Sequence, residues 1–296
     1  MLQALAPAKV NLCLHVGPVD PSGYHPLVSL VAFADVGDWL TIERADRLSL
    51  TVAGPFGGAL GDDPDNLVLR ALRRLGEVAG IGEPRLRVTL DKRLPIAAGL
   101  GGGSSDAGAA IGLAVQLLSL DLDAAALDEV ASSIGADGPM CLHSRSAWAE
   151  GRGDVLTPAP WLPPLHAVLV NPGAPSPTGA VYRAYDAAPV PLDVRPIDPQ
   201  DRSAAGVTDW LSGLRNDLQT PAVRMTSAIG AALDAVHALP GVRLTRMSGS
   251  GATVFGLFDD AETASSRRHG VRRSWRLVGP AHDSGRRRGL KQALRP

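Results

Sequence analysis

The sequence predicts an α+β protein of two domains, and three observations carry that reading. The chain has 296 residues, enough for two packed domains rather than one. Strand-like and helix-like patterns alternate along it, with no internal repeat at solenoid periods. A proline-rich stretch, "PAPWLPP" at 158–164, interrupts the alternation, after which the pattern restarts. The boundaries drawn from it are 1–160 for the first domain, 161–282 for the second and 283–296 for a tail.

Residues 1–60 read mainly as strands. "KVNLCLHV" alternates, and "LVSLVAFADVGDWLTIERAD" is long, β-rich and ends in charge, with "GYH" as the break between them. "DNLVLRALRRLGEVAG" spaces its apolar residues as a helix does and stops at Gly80, where a C-cap glycine belongs. "RLRVTL" returns to a strand. After Pro95 and a cluster of glycines, "DAGAAIGLAVQLLSL" reads as a buried helix starting near Ser104. A helix over roughly 123–134 ends at "GADGPM", whose glycines and proline point to a tight turn, and "SAWAEGRGDVLTPAP" reads as a hairpin. Beyond the boundary come the strand "HAVLVNPG", a helix beginning near "SPTGAVYRAY", a proline-rich excursion, a helix at 221–238, and the strands "VRLTRM" and "ATVFGLF". That order suggests a ferredoxin-like α+β unit. The basic tail "DSGRRRGLKQALRP" is expected to be loosely ordered.

Composition narrows the function. A hydrophobic share of 45% and a charged share of 20% belong to an ordinary folded chain, and with aromatics at 4% the core must be filled by aliphatics and alanine. A formal net charge of -1 gives no global attraction to nucleic acid or to acidic membranes. The partner expected is a small molecule. Cys13 and Cys141 form no CxxC and no zinc-type spacing with histidine, which fits a reducing cytoplasm. No signal-peptide pattern and no run of about 18 apolar residues occurs. The seven histidines show no HExxH-like spacing, so no structural metal is assigned.

The chemistry is concentrated in "LPIAAGLGGGSSDAG", residues 94–108. Glycines followed by hydroxyls at the start of a helix make backbone N–H groups converge on one point, where the helix dipole also favours negative charge. A tight turn would explain one or two of these glycines, but not Gly99, Gly101, Gly102 and Gly103 together with Ser104 and Ser105. Two familiar phosphate loops are excluded. A Walker A loop needs a lysine that is absent between Gly99 and Asp106, and a dinucleotide fingerprint needs glycine where Ser104 stands.

What remains resembles the GHMP kinase superfamily, whose phosphate loop reads roughly P-x-x-x-G-L-G-S-S-A. Pro95, Gly99, Leu100, Gly101, Ser104 and Ser105 occupy that pattern with two extra glycines. "APAKVNLCLHV" followed by "GYH", then "GADGPMCL", then "RMSGSGATVFGLF", are similar to the superfamily's other motifs, so the resemblance spans residues 6 to 258. Gly138 and Met140 stand where bulkier apolar residues are more usual, and the stretch after Pro189 does not align. The resemblance implies an N-terminal domain like the second domain of a small-subunit ribosomal protein and a C-terminal ferredoxin-like domain. It also implies ATP as phosphoryl donor and, within the superfamily, the branch whose acceptor is a cytidine-diphosphate-linked polyol. A kinase of another small alcohol is the nearest alternative, separated from it by the "GYH" segment. A non-enzymatic nucleotide- or RNA-binding module is the third, and the acidic balance outside the C-terminus argues against it.

Phosphoryl transfer to an alcohol is mostly positioning and charge neutralisation, with a carboxylate placed to receive the hydroxyl proton. Asp137 is the candidate base, a role the resemblance also assigns; its alternative is a turn-capping aspartate. Asp106 is the second candidate, but its place after the serines better suits helix capping or magnesium coordination. Lys9, in an otherwise apolar strand, is the natural partner for Asp137, unless it snorkels at a strand end. Asn11 shares its face by the two-residue period and can hydrogen-bond the substrate.

The ATP-binding set is Pro95, Ile96, Ala97, Ala98, Gly99, Leu100, Gly101, Gly102, Gly103, Ser104 and Ser105. The resemblance adds Asn66 and Lys92 on the adenine or ribose side. It also implies that Tyr24 and His25 recognise cytosine, where plain surface packing is the alternative, and that Thr178 and Tyr182, on one helix face at i, i+4, close over the cytidine. "SGSGA" at 248–252 offers further backbone donors or a simple glycine hairpin. Magnesium is expected with ATP, held through phosphates, water and a loop hydroxyl.

Overall fold

The computed structural model describes residues 1–60, 63, 65–192, 194–267 and 276–281. Strands β1 (Leu2–Asn11), β2 (His15–Val16), β3 (Leu27–Arg44) and β4 (Ser49–Ala53) precede helix α1 (Leu67–Val78), strand β5 (Leu86–Asp91) and helices α2 (Gly102–Leu118), α3 (Ala124–Ser132) and α4 (Gly138–His143). A hairpin of β6 (Ala147–Gly151) and β7 (Val155–Pro158) follows. β4, β5, β3, β6 and β7 lie side by side in one sheet, in which β1 and β2 also pair with β3.

The second half runs β8 (His166–Asn171), α5 (Thr178–Tyr185), α6 (Ala204–Ser212), α7 (Gln219–Met225), α8 (Ser227–His237), β9 (Val242–Met247), β10 (Val254–Phe258), α9 (Ala261–Arg267) and β11 (Arg276–Ala281). Its strands are ordered β11-β8-β10-β9, each neighbouring pair antiparallel. Two strand–helix–strand passes around a central hairpin give the ferredoxin-like arrangement. The α+β, two-part fold expected from the sequence is the fold observed.

β3 joins the layers. Its Leu30, Ala32 and Ala34 pack with Leu169, Phe255 and Leu257 of the second sheet, whereas its Leu40 and Ile42 pack with Leu72, Ile111 and Val130 of α1, α2 and α3. The β1–β3 register shifts between Pro7 and Lys9. Pro7 has no N–H to give the ladder, and a Cβ at Gly37 opposite would stand 2.0 Å from the Ala6 carbonyl oxygen. Such irregularities re-aim side chains. Here the Lys9 amide leaves the sheet and donates to the Leu100 carbonyl at 2.8 Å.

Local departures from the sequence reading have physical reasons. The helix expected at 221–238 is two helices, broken at Thr226, whose backbone is extended (φ -135°, ψ 89°) and whose hydroxyl donates to the Pro175 carbonyl. Helical periodicity continues across the break and hides it. α2 starts at Gly102, earlier than Ser104, because the glycines themselves take helical geometry. "GADGPM" opens with the expected tight turn, closed by the Gly138 amide on the Gly135 carbonyl at 2.9 Å, and runs on into α4: Asp137 is the helix N-cap, with Pro139 in the first turn, where a missing N–H costs nothing. Gly138 is required there, since a Cβ would meet the Ala131 carbonyl oxygen at 1.9 Å. α6 lies in the proline-rich excursion, where no helix was expected. The tail at 283–296 lies outside the described residues.

Candidate active site

A cleft of about 760 Å³ is lined from both halves of the chain, by β1, the glycine loop, Asp137, the β6–β7 turn, the start of α5 and the β9–β10 loop. Gly99 and Gly101 hold φ at +71° and +61°, where a side chain is strained. A Cβ on Gly99 would also stand 2.3 Å from the Ser248 carbonyl oxygen. Three successive loop carbonyls are bonded away from the cleft: Leu100 accepts from the Lys9 amide (2.8 Å), Gly99 from Ser248 Oγ (2.8 Å) and Ala98 from the Thr253 amide (3.0 Å). Gly102, Gly103 and Ser104 line the cleft, and the first amides of a helix have no acceptor within it. Carbonyls out and amides in is the polarity an anion requires. Of the loop residues, Leu100 and Ser105 turn inward instead: Leu100 joins the core, and Ser105 Oγ lies 3.5 Å from Cys141 Sγ.

Lys9 Nζ lies 2.9 Å from Asp137 Oδ2, with the lysine side chain 9% and the aspartate 37% exposed. Burial alone would pull the ammonium down, but the adjacent Asp137 carboxylate outweighs it and holds Lys9 above its ordinary value. Burial pushes the neighbouring Cys141 thiol up to about 12, so it stays protonated beside the pair. Asn11 donates from Nδ2 to Ser29 Oγ (2.8 Å) and from its amide to Ser248 Oγ (3.1 Å). Its Oδ1 is buried at the cleft with no partner. Across the cleft, Thr178 Oγ1 and Ser250 Oγ are 2.8 Å apart, and Tyr182 lies against His25 with ring centroids at 4.9 Å.

Two patterns of known proteins match the chain: GHMP kinases N terminal domain over residues 66–145 and GHMP kinases C terminal over residues 206–277. The 4-diphosphocytidyl-2-C-methyl-D-erythritol kinase of Caulobacter sp. (strain K31) is 51% identical, over 94% of this chain and 99% of its own. The protein of that name from Caulobacter vibrioides (strain NA1000 / CB15N) is 50% identical, over 93% and 97%. The chain belongs to the 4-diphosphocytidyl-2-C-methyl-D-erythritol kinase family. A crystal structure of a 4-(cytidine 5'-diphospho)-2C-methyl-D-erythritol kinase, 35% identical, superposes with a TM-score of 0.77 over 95% of this chain and 98% of that one. The chain is therefore a GHMP kinase in fold and in class.

In this kinase several residues sit differently from the sequence reading. Lys92 does not offer its cation to a nucleoside: Nζ is 2.6 Å from both Asp38 Oδ2 and Asp106 Oδ2, buried beneath the loop. Burial opposes that charge, yet the two carboxylates raise the lysine above its ordinary value. Asp106 caps no helix; it is a buried partner of Lys92, and its Oδ1 lies in the cleft wall without a partner. Asn66 is at the cleft, but its side-chain oxygen caps α1 by accepting from the Val68 amide. His25 stands behind Tyr182, its Nδ1–H donating to the Gly17 carbonyl (2.9 Å) and its Nε2 3.3 Å from Asp186. Tyr24 is 52% exposed, with the Arg152 guanidinium 3.8 Å over its ring.

The sequence reading missed Asp38 altogether. Its Oδ1 accepts from the amides of Arg93 (2.5 Å) and Leu94 (2.7 Å), and its Oδ2 meets Lys92. One carboxylate thus ties the residues entering the phosphate loop to the helix leaving it. The available signal was an acid set beside Gly37 within a long apolar strand. Asn216 was missed too; its Nδ2 donates to the Met247 and Gly249 carbonyls and shapes the β9–β10 loop.

Proposed function

We propose that the chain transfers the γ-phosphoryl group of ATP to the 2-hydroxyl of 4-diphosphocytidyl-2-C-methyl-D-erythritol, a step of the non-mevalonate route to isoprenoid precursors. The observation that carries this is the Lys9–Asp137 pair at 2.9 Å, in one cleft with the amide-lined start of α2 and with Tyr182. The α2 amides hold the donor phosphates. Asp137 takes the hydroxyl proton as the oxygen attacks, and Lys9, 2.9 Å away, orients that carboxylate and offsets charge on the transferring group. Asn11 Oδ1 accepts from a substrate hydroxyl. Tyr182, backed by His25, packs on the cytosine, and Thr178 closes the same side.

Magnesium fits this cleft without a dedicated cage. No cluster of three or more metal-ligating side chains occurs among the described residues, and Mg²⁺ commonly binds through phosphates, waters and one or two carboxylates. Asp106 Oδ1, buried and unpartnered, is the carboxylate oxygen that suits it. When bound, the cation neutralises charge on the β- and γ-phosphates. Two free, buried cysteines support a reducing cytoplasm as the location. Among the described residues no helix is long and apolar enough to cross a membrane.

The test is an acceptor panel with ATP and magnesium. The cytidine-linked alcohol should be phosphorylated, while free methylerythritol phosphate should be a very poor acceptor even at high concentration, because remote binding energy aligns the reacting hydroxyl. Equal use of the truncated alcohol or of a simple sugar would replace this reading with a general small-alcohol kinase.

A further inference from the structure

Three basic residues line the cleft among the described residues: Lys9, Lys92 and Arg152. The first two are committed, Lys9 to Asp137 and Lys92 to Asp38 and Asp106. Among the described residues no carboxylate stands within ion-pair distance of Arg152; Asp20 interacts with it electrostatically from behind Ser22. It projects from the β6–β7 turn, between Gly151 and Gly153, which hold φ at +67° and +97°. Its backbone amide is fixed by Asp154 Oδ1 at 3.0 Å. Its guanidinium lies over the Tyr24 ring, 3.8 Å from the centroid, and Nη2 donates to Ser22 Oγ at 3.0 Å. Ser22 is itself bonded to Asp20. The charge is thus oriented by an aromatic face and a neutral hydroxyl, and most of its five N–H donors remain unspent.

A guanidinium held this way is a planar fork suited to two phosphate oxygens at once. Arg152 and Gly153 line the cleft together with Asp137 and Tyr182, the two residues to which the proposed mechanism assigns the reacting hydroxyl and the base. A cytidine-diphosphate-linked alcohol spanning those residues carries its diphosphate between them, and two negative charges there call for a cation that the phosphate loop and the Lys9–Asp137 pair do not supply.

We propose that Arg152 binds the diphosphate of the acceptor substrate and is a specificity-determining residue of this kinase, with Tyr24 and Ser22 as the supports that aim it. The inference rests on the substrate reading above.

Calorimetry with the full chain tests it, with a non-hydrolysable ATP analogue occupying the donor site and CDP and cytidine as the probes. Wild type should bind CDP about 10- to 100-fold more tightly than cytidine, the range for hydrogen bonds to charged groups. Arg152→Met keeps an apolar stem on Tyr24 and removes the charge. It should bring CDP down to the affinity of cytidine while leaving cytidine unchanged, and Arg152→Lys should fall between. In steady state, Arg152→Met should raise KM for the acceptor by a similar factor with KM for ATP unmoved. An unchanged CDP-to-cytidine ratio in Arg152→Met, or equal binding of the two probes by wild type, overturns the assignment. A loss of cytidine affinity equal to the loss of CDP affinity reduces Arg152 to a prop for Tyr24 and overturns it as well. If wild type binds neither probe, the substrate reading itself fails, and Arg152 with it.

Discussion

At the donor end of the cleft, the loop carbonyls of residues 98, 99 and 100 are bonded by two separate segments, β1 and the β9–β10 loop, and a fully buried Asp38–Lys92–Asp106 cluster lies beneath them. At the acceptor end, Tyr24 is half exposed and meets Arg152 through a ring face, and Tyr182 is backed by a single histidine. The donor end is held by backbone and buried charge, the acceptor end by side chains resting on one another. Alignment of a transferring phosphoryl group tolerates little displacement, so rigidity is concentrated there. Selectivity for a remote group is carried by surfaces that substitution can change without disturbing the fold.

That contrast can be broken in graded steps. The largest effect belongs between the two ends: Asp137→Asn should lower kcat by about 10²- to 10⁴-fold, the usual contribution of a general base, with ATP affinity near wild type. Near-normal turnover would remove Asp137 from the mechanism. Lys92→Met strands two buried carboxylates, and denaturant unfolding should show a loss of about 3–5 kcal/mol, as for other buried pairs with one partner removed. An unchanged midpoint would mean that the cluster does not hold the loop's base. Gly101→Val forces a branched side chain into the left-handed region at a cost of about 1–2 kcal/mol, with its Cβ 3.1 Å from Lys9 Cβ. Calorimetry should show weaker ATP binding in a folded protein; unaltered affinity would remove the cradle role. Tyr24→Ala should be the mildest, changing stability by no more than about 0.5 kcal/mol, as at other exposed positions, while raising KM for the acceptor and not for ATP. A destabilised Tyr24→Ala protein would erase the distinction between the two ends.

The same contrast explains what the sequence could and could not disclose. The glycine loop was legible because its signal is local: positive φ, then a helix start, written in consecutive letters. Lys9 and Asp137 were legible as charges standing in apolar or glycine-rich surroundings. Asp38 was not, because an acid in a strand reads as a solvent-facing residue until the loop that buries it is in place. Lys92 and Asp106 were noticed singly, and pairing across 14 positions with Asp38 as the third member is a tertiary fact. At the acceptor end the residue types were visible, but Arg152 looked like the tip of a hairpin. Its contact with Ser22 joins positions 130 apart.

The bond from Ser248 to Gly99 spans 149 residues, and this orders events in time as well as in space. The glycine motif, Lys9 and Asp137 all leave the ribosome before the β9–β10 hairpin exists. At ~5–20 residues per second, the loop waits roughly 7 to 30 s for the serine that will fix its carbonyl. A nascent chain halted before Ser248 holds the motif, the lysine and the aspartate in full, yet lacks both groups that bond the Ala98 and Gly99 carbonyls. Nucleotide capture by such a chain therefore begins only when translation has passed the hairpin, and a ribosome-bound series of increasing length should acquire ATP affinity in one late step.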